Sequence, residues 1–269
     1  MDFNPFNKAF DDEGRPKPAV NKFLDTVLRV QRPVVLGYVR RQRSEHPDET
    51  PEQLAGRLEK TYLRSVTLGG GAVGGTAVVP GIGTVASLGL SSVAVAGYLE
   101  ATALYAQAVA ELHGVSTEDP DRTRTMVMAL MLGEDGQQVM HQLLASKTKG
   151  KGLASSWGAM SGKDDDKSFD VGRTIRNMFV RRFLARQTGA LFGRALPFGL
   201  GAVVGGGANL AMARQVVEAT HEAFGQLPAV FPAALETPGR APKFQGRKKG
   251  AGQDPAADET ARGEITGTQ

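Results

Sequence analysis

The sequence predicts an all-α protein, a helical bundle built around two apolar helical hairpins that each contain proline and glycine. Three observations lead there. Apolar residues recur at spacings of three and four along most of the chain, and no segment sustains the alternation that a half-buried strand requires. Aromatic residues make up 6% of the chain while glycine alone counts 34, a balance that suits close helix packing better than aromatic-rich sheets. Finally, the stretch SVTLGGGAVGGTAVVPGIGTVASLGLSSVAVAGYL, Ser65 to Leu99, holds nine glycines, one proline and no charge, although 22% of the chain is charged.

The elements follow in order. Phe3, Phe6 and Phe10 have the spacing of one helical face, but Pro16 and Pro18 interrupt any helix, so residues 1–19 are expected to be a flexible N-terminal segment. Val20, Phe23, Leu24, Val27 and Leu28 form an apolar stripe, and Pro33 can open the next helix. In HPDETPEQ, Thr50 can cap, Pro51 takes the first helical position and Gln53 completes a capping box. That helix runs through Leu54, Leu58, Tyr62 and Leu63 into the glycine stretch. GYLEATALYAQAVAELHG is the next helix, closed by Gly114. Asp119 and Pro120 start another, and a further one is expected after Gly136. Met126, Met128, Met131 and Met140 read as core filling. Residues 147–169 mix glycine, serine and charge as a mobile connector would. Helix resumes at Val171, is broken by Pro197, and resumes from about Phe198 to Phe224. The helical domain thus spans 20–228, and 229–269 is expected to be a disordered tail.

Composition excludes some chemistry. There is no cysteine, which rules out thiol catalysis, disulfides and cysteine-ligated metals. The N-terminus lacks a basic start followed by an apolar core, so no secretory signal is expected. The net charge is +4. Arginines cluster at Arg40, Arg41 and Arg43 and again at Arg173, Arg176, Arg181, Arg182 and Arg186, and GRKKG adds a basic knot in the tail. Such clusters suit phosphate, and equally serve as solvated helix faces.

The neutral stretch admits a nucleotide-binding turn, a buried core or a membrane-facing hairpin. Gly81, Gly83 and Ala86 fit a dinucleotide fingerprint, with Glu100 downstream. Yet Pro80 ends the strand such a turn needs, and no βαβ series follows. As helix, the stretch is split by Pro80 and Gly81 into arms too short to span a bilayer singly but long enough for an interfacial hairpin. Gly70 and Gly74, and Gly71 and Gly75, stand four apart, as helix crossings favour. A second block, LPFGLGAVVGGGANLAMAR, repeats the ingredients: Pro197 as the break, Gly201 and Gly205 four apart, and no charge from 195 to 213.

Both blocks, with the intervening helix ending in LHG, resemble the bacterial EcsC family over residues 20–225. His113 stands where that family usually has tyrosine. The resemblance implies membrane association on the cytoplasmic side of a bacterial cell and proximity to a transporter. It carries no catalytic residues.

The remaining motifs supply no catalytic or metal site. His46, His113, His141 and His221 are dispersed, and HEAFG has Gly225 where a zinc-protease helix needs its second histidine. No G-x-S-x-G elbow occurs, and the run Asp164 to Asp166 has no fixed geometry for a cation. Glu100, the first charge after the neutral run, is either a buried partner for an arginine or the point where the helix leaves the apolar layer. Residues 171–191 carry an apolar stripe with most of their arginines elsewhere, as a helix lying on an anionic membrane surface would, and equally as an ordinary core-facing helix with a charged outer side would.

The expected function is therefore a membrane-associated interaction or scaffold protein, with a membrane surface, a membrane protein or a second copy of itself as partner. No nucleic acid, cofactor, metal or catalytic residue is expected. The competing readings are an enzyme acting on an amphipathic substrate in a helical cleft, and a soluble protein assembling through its glycine faces.

Overall fold

The structure, a computed structural model, describes residues 9–76, 83–144, 171–183, 185 and 200–236, with backbone alone at 70–76, 83–92, 140–144 and 200–206. These residues lie in one unit, Met1–Thr237. They form α1 (Pro18–Val27), α2 (Arg32–Glu45), α3 (Pro51–Thr76), α4 (Gly83–Leu112), α5 (Pro120–Leu132) and α6 (Glu134–Leu144). Residues 171–183 form α7, and α8 (Leu200–Phe224) precedes a short 3-10 turn, Ala233–Leu235. The described residues contain no strand, only an isolated bridge between Phe10 and Pro16. The all-α expectation holds.

Local signals set the helix starts. Thr50 and Gln53 form the reciprocal box: the Thr50 N–H donates to Gln53 Oε1 at 2.9 Å and the Gln53 N–H donates to Thr50 Oγ1 at 3.3 Å. Asp119 caps α5 by accepting from the N–H groups of Asp121 and Arg122, with Pro120 in the first turn. Gly114 closes α4 with φ +75°, a backbone that side chains rarely adopt.

Other boundaries differ from expectation. Pro18 opens α1 instead of interrupting it, because a first-turn residue needs no N–H partner. The segment before it is docked: Ala9 is buried, the Lys17 N–H donates to the Ala9 carbonyl, and Arg181 donates to the Gly14 carbonyl at 3.0 Å. α6 starts at Glu134, so Gly136 lies inside its first turn. A Cβ there would meet the Ala129 carbonyl oxygen at 2.1 Å, so glycine is what lets α6 close onto α5. The chain beyond 228 does not leave the fold at once, since Leu235 is fully buried. Arg40 and Arg43 hold this strap by donating to the carbonyls of Ala234 and Leu235. The connector 147–169, Arg186, the breaks at Pro80, Gly81 and Pro197, and the tail from 237 lie outside the described residues.

α3 is the central element, packed along α8 and α4. It buries Leu54, Leu58, Tyr62 and Val66. Both partners run antiparallel to it. Tyr62 meets Thr102 of α4 at 2.9 Å, while Asn209 of α8 donates to the Val66 carbonyl at 3.2 Å and His221 approaches Glu59 at 3.3 Å. Beyond its first turn α5 is buried throughout, from Thr123 to Leu132, which is why its sequence shows no clear polar face.

The register around Asn209 makes the glycine pairs testable. The Val66 carbonyl lies one helical turn before Gly70 on α3. Continued residue for residue, the same register sets Gly70 opposite Gly205 and Gly74 opposite Gly201. Leucine at Gly70 or Gly205 is expected to cost about 1–3 kcal/mol by overpacking, read as a fall in melting temperature. Alanine should cost less. An added Cβ at Gly69 or Gly207 meets nothing within 4 Å, so leucine at those neighbours should be tolerated. Equal tolerance at all four positions would contradict the close crossing.

Candidate functional site: the charge-free end of the bundle

The antiparallel arrangement gathers three uncharged helix segments at one end. The C-terminal part of α3 carries no charge from Ser65 to Thr76, the N-terminal part of α4 none from Gly83 to Leu99, and the N-terminal part of α8 none from Leu200 to Ala213. At about 1.5 Å per residue these segments extend roughly 18, 25 and 21 Å. The charges that bound them, Arg64, Glu100 and Arg214, fall at nearly one level. The Tyr62–Thr102 contact sets Arg64 level with Glu100, and the Val66–Asn209 contact sets Arg214 less than one turn lower. All three are exposed.

Large apolar side chains face outward on the charge-free side of this boundary. Leu68 is 73% exposed and Val93 68%. Scattered surface leucines are ordinary; among the described residues, these two stand beside helix segments that carry no charge. Glu100 is not the buried acid that its place in the sequence suggested. It sits on the outward face of α4 and marks where that helix leaves the apolar zone. One described segment, Val93–Leu112, is long and apolar enough to cross a membrane, but 56% of that window is buried inside the bundle. Its C-terminal half is core.

Just beneath the boundary lies a tyrosine layer that the sequence reading did not single out. The chain has four tyrosines. Tyr38, Tyr62 and Tyr105 line a small cavity of about 60 Å³ between α2, α3 and α4. Tyr62 and Tyr105 stack with centroids 4.6 Å apart. Thr102 donates to the Tyr98 carbonyl at 2.7 Å, so the Tyr62 hydroxyl donates to Thr102. Desolvation raises the phenols of Tyr38, Tyr62 and Tyr105 above their ordinary value of 10, with Glu59 adding to the rise at Tyr105. Below pH about 10 these phenols are neutral in the folded and the unfolded chain alike. Above it the unfolded chain ionises and the folded one resists, so stability falls as pH rises. An alkaline titration of phenolate absorbance should therefore show ionisation coupled to loss of helical circular dichroism, not an independent step in the native protein.

The arginine clusters are mostly occupied. Arg41 pairs with Glu45 on its own helix, while Arg40 and Arg43 clamp the strap. Arg43 also lies over the Phe231 ring, 4.2 Å from its centroid. Along α7, Arg176 reaches Asp25 at 3.7 Å, Arg182 pairs with Asp135, and Arg181 holds the Gly14 carbonyl. Arg173 and Arg181 remain on the surface, but these side chains tie α7 to the rest of the bundle.

The buried acid is Glu111, 2% exposed, at the opposite end. It accepts from Arg32 Nε at 2.7 Å, and from both the N–H and the hydroxyl of Thr117 at 2.8 Å. The pair raises the Arg32 guanidinium further above its ordinary range through the Glu111 hydrogen bond. Arg32, Thr117 and Glu118 border an open groove of about 610 Å³ with Arg29. An acid within AVAEL, where every neighbour is apolar, was the available signal for a buried partner. Among the described residues, no group of three His, Cys, Asp or Glu side chains could hold a metal ion.

No family model, curated protein or solved structure matches the chain. The EcsC likeness accordingly rests on the motif residues alone.

Proposed function

We propose that this is a membrane-associated interaction or scaffold protein that docks its charge-free end into the surface of a bilayer. The observation that supports this most is the common level of Arg64, Glu100 and Arg214, with three uncharged helix segments beyond it and Leu68 and Val93 exposed there. The segments are shorter than the roughly 30 Å hydrocarbon core. Their reach suits insertion into one leaflet, not passage across both. Backbone hydrogen bonds inside the helices let such a tip enter lipid at low cost. The EcsC resemblance supports the cytoplasmic face of a bacterial membrane and a neighbouring transporter as the setting.

Native cell fractionation tests the reading. The protein should pellet with membranes, resist a salt wash at least in part, and be released by detergent. Recovery in the soluble fraction at low salt would overturn it. A discrete oligomer in that fraction would assign the apolar end to contact between copies instead.

A further inference from the structure

We infer that the collar beneath the inserted end, Lys60, Arg64 and Arg214, recognises the phosphates of anionic phospholipids, so that docking selects negatively charged bilayers. This inference rests on the membrane reading above and adds the chemistry of the lipid.

Most cations of the bundle are committed elsewhere. Among the described residues, most arginines are held by a carboxylate or a carbonyl, including Arg32, Arg40, Arg57 and Arg124. Among the described residues, Lys60, Arg64 and Arg214 find no hydrogen-bond, ion-pair or ring partner, and all three are exposed. Lys60 and Arg64 stand one turn apart on the face of α3 opposite its buried stripe of Leu58, Tyr62 and Val66. Arg214 is the first charge of α8 after its neutral segment. They therefore lie on two packed helices, α3 and α8, within about one and a half turns below the apolar end. If that end occupies a leaflet, this level coincides with the headgroup phosphates, and long cationic side chains extend toward them while their stems stay in the interface.

Acids at the collar set the balance. Glu59 lies 3.3 Å from His221, which pairs with it as an ion only when protonated, and Glu218 lies about one turn further from the apolar end than Arg214. Glu100 stands level with Arg64, and both it and Glu59 oppose the attraction. The three cations outnumber these two acids and reach further.

Vesicle co-flotation of the full chain tests this, with phosphatidylcholine alone and with phosphatidylcholine mixed with phosphatidylglycerol. Near a charged surface each cation contributes roughly fivefold in affinity, so the three together give on the order of a hundredfold preference for the mixed vesicles. K60Q/R64Q/R214Q should lose that preference and its salt dependence while keeping the binding to phosphatidylcholine. Glu100→Gln should increase the preference. Arg29→Gln, at the far groove, should leave it unchanged. All five positions are exposed, and circular dichroism of each variant checks that it is folded. Equal binding to both vesicle types, or an undiminished preference in the triple variant, would overturn the collar and leave insertion standing. Binding to neither vesicle would overturn the membrane reading itself.

Discussion

Glutamate at Leu68 and Val93 together is expected to abolish binding to vesicles while leaving the melting temperature nearly unchanged. Both side chains are exposed in the bundle, 73% and 68%, and surface substitutions away from structural features typically move stability by less than about 0.5 kcal/mol. In a bilayer the same positions lie on the lipid side of the collar. An acidic side chain costs about 2–3 kcal/mol there, and the apolar contact it replaces is lost as well. The pair should therefore lower vesicle affinity on the order of a thousandfold. A soluble protein whose apolar end is closed over by its own chain would show no such separation, because lipid binding would be absent from the start.

The second large effect falls on stability and at the other end of the molecule. Glu111→Ala removes the acceptor for Arg32 and for both donors of Thr117, and leaves the buried Thr117 N–H without a partner. Breaking a buried pair in this way typically costs about 3–5 kcal/mol. For a domain of this size that is a fall of roughly 10 °C in melting temperature. The cost is large because one carboxylate joins three pieces: the last turn of α4, the first turn of α2, and the loop into α5. Glu118→Ala makes the contrast. Its carboxylate is 83% exposed and 3.9 Å from Arg32, so its removal should change stability by less than about 0.5 kcal/mol. A thermal melt of the two variants checks both expectations.

What could be read from sequence divides along the range of the interactions. The Thr50–Gln53 box, the Asp119 cap with Pro120 and the Gly114 cap act within one turn, so neighbouring residues state them completely. The long helices through Thr76 and into Phe224 follow from periodicity and length. The reading failed where a partner lies far along the chain. Glu111 and Arg32 are 79 positions apart, and Arg40 meets Ala234 across 194. Nothing local distinguishes a clamping arginine from a solvated one, so the Arg40 to Arg43 cluster read as either a phosphate site or a solvated helix face, and the strap looked like tail. Glu100 and Glu111 sit on one helix, and only the packing of α4 decides which is buried. The gathering of three neutral segments at one end is likewise a property of antiparallel register, although each segment separately was plain in the sequence.

The central claim is that the charge-free end enters lipid while the groove end stays in water. The absence of cysteine allows a single nitroxide label at Leu68→Cys, Val93→Cys or Ser116→Cys, three exposed positions, the first two at the apolar end and the third in the loop after α4. Electron paramagnetic resonance in the presence of anionic vesicles then compares collision with dissolved oxygen, which concentrates in lipid, and with a water-soluble nickel chelate. Labels at 68 and 93 should become accessible to oxygen and shielded from the chelate on adding vesicles, while the label at 116 stays open to the chelate. Equal exposure of all three labels to the chelate, with the protein bound to vesicles, would show that this end does not enter the bilayer.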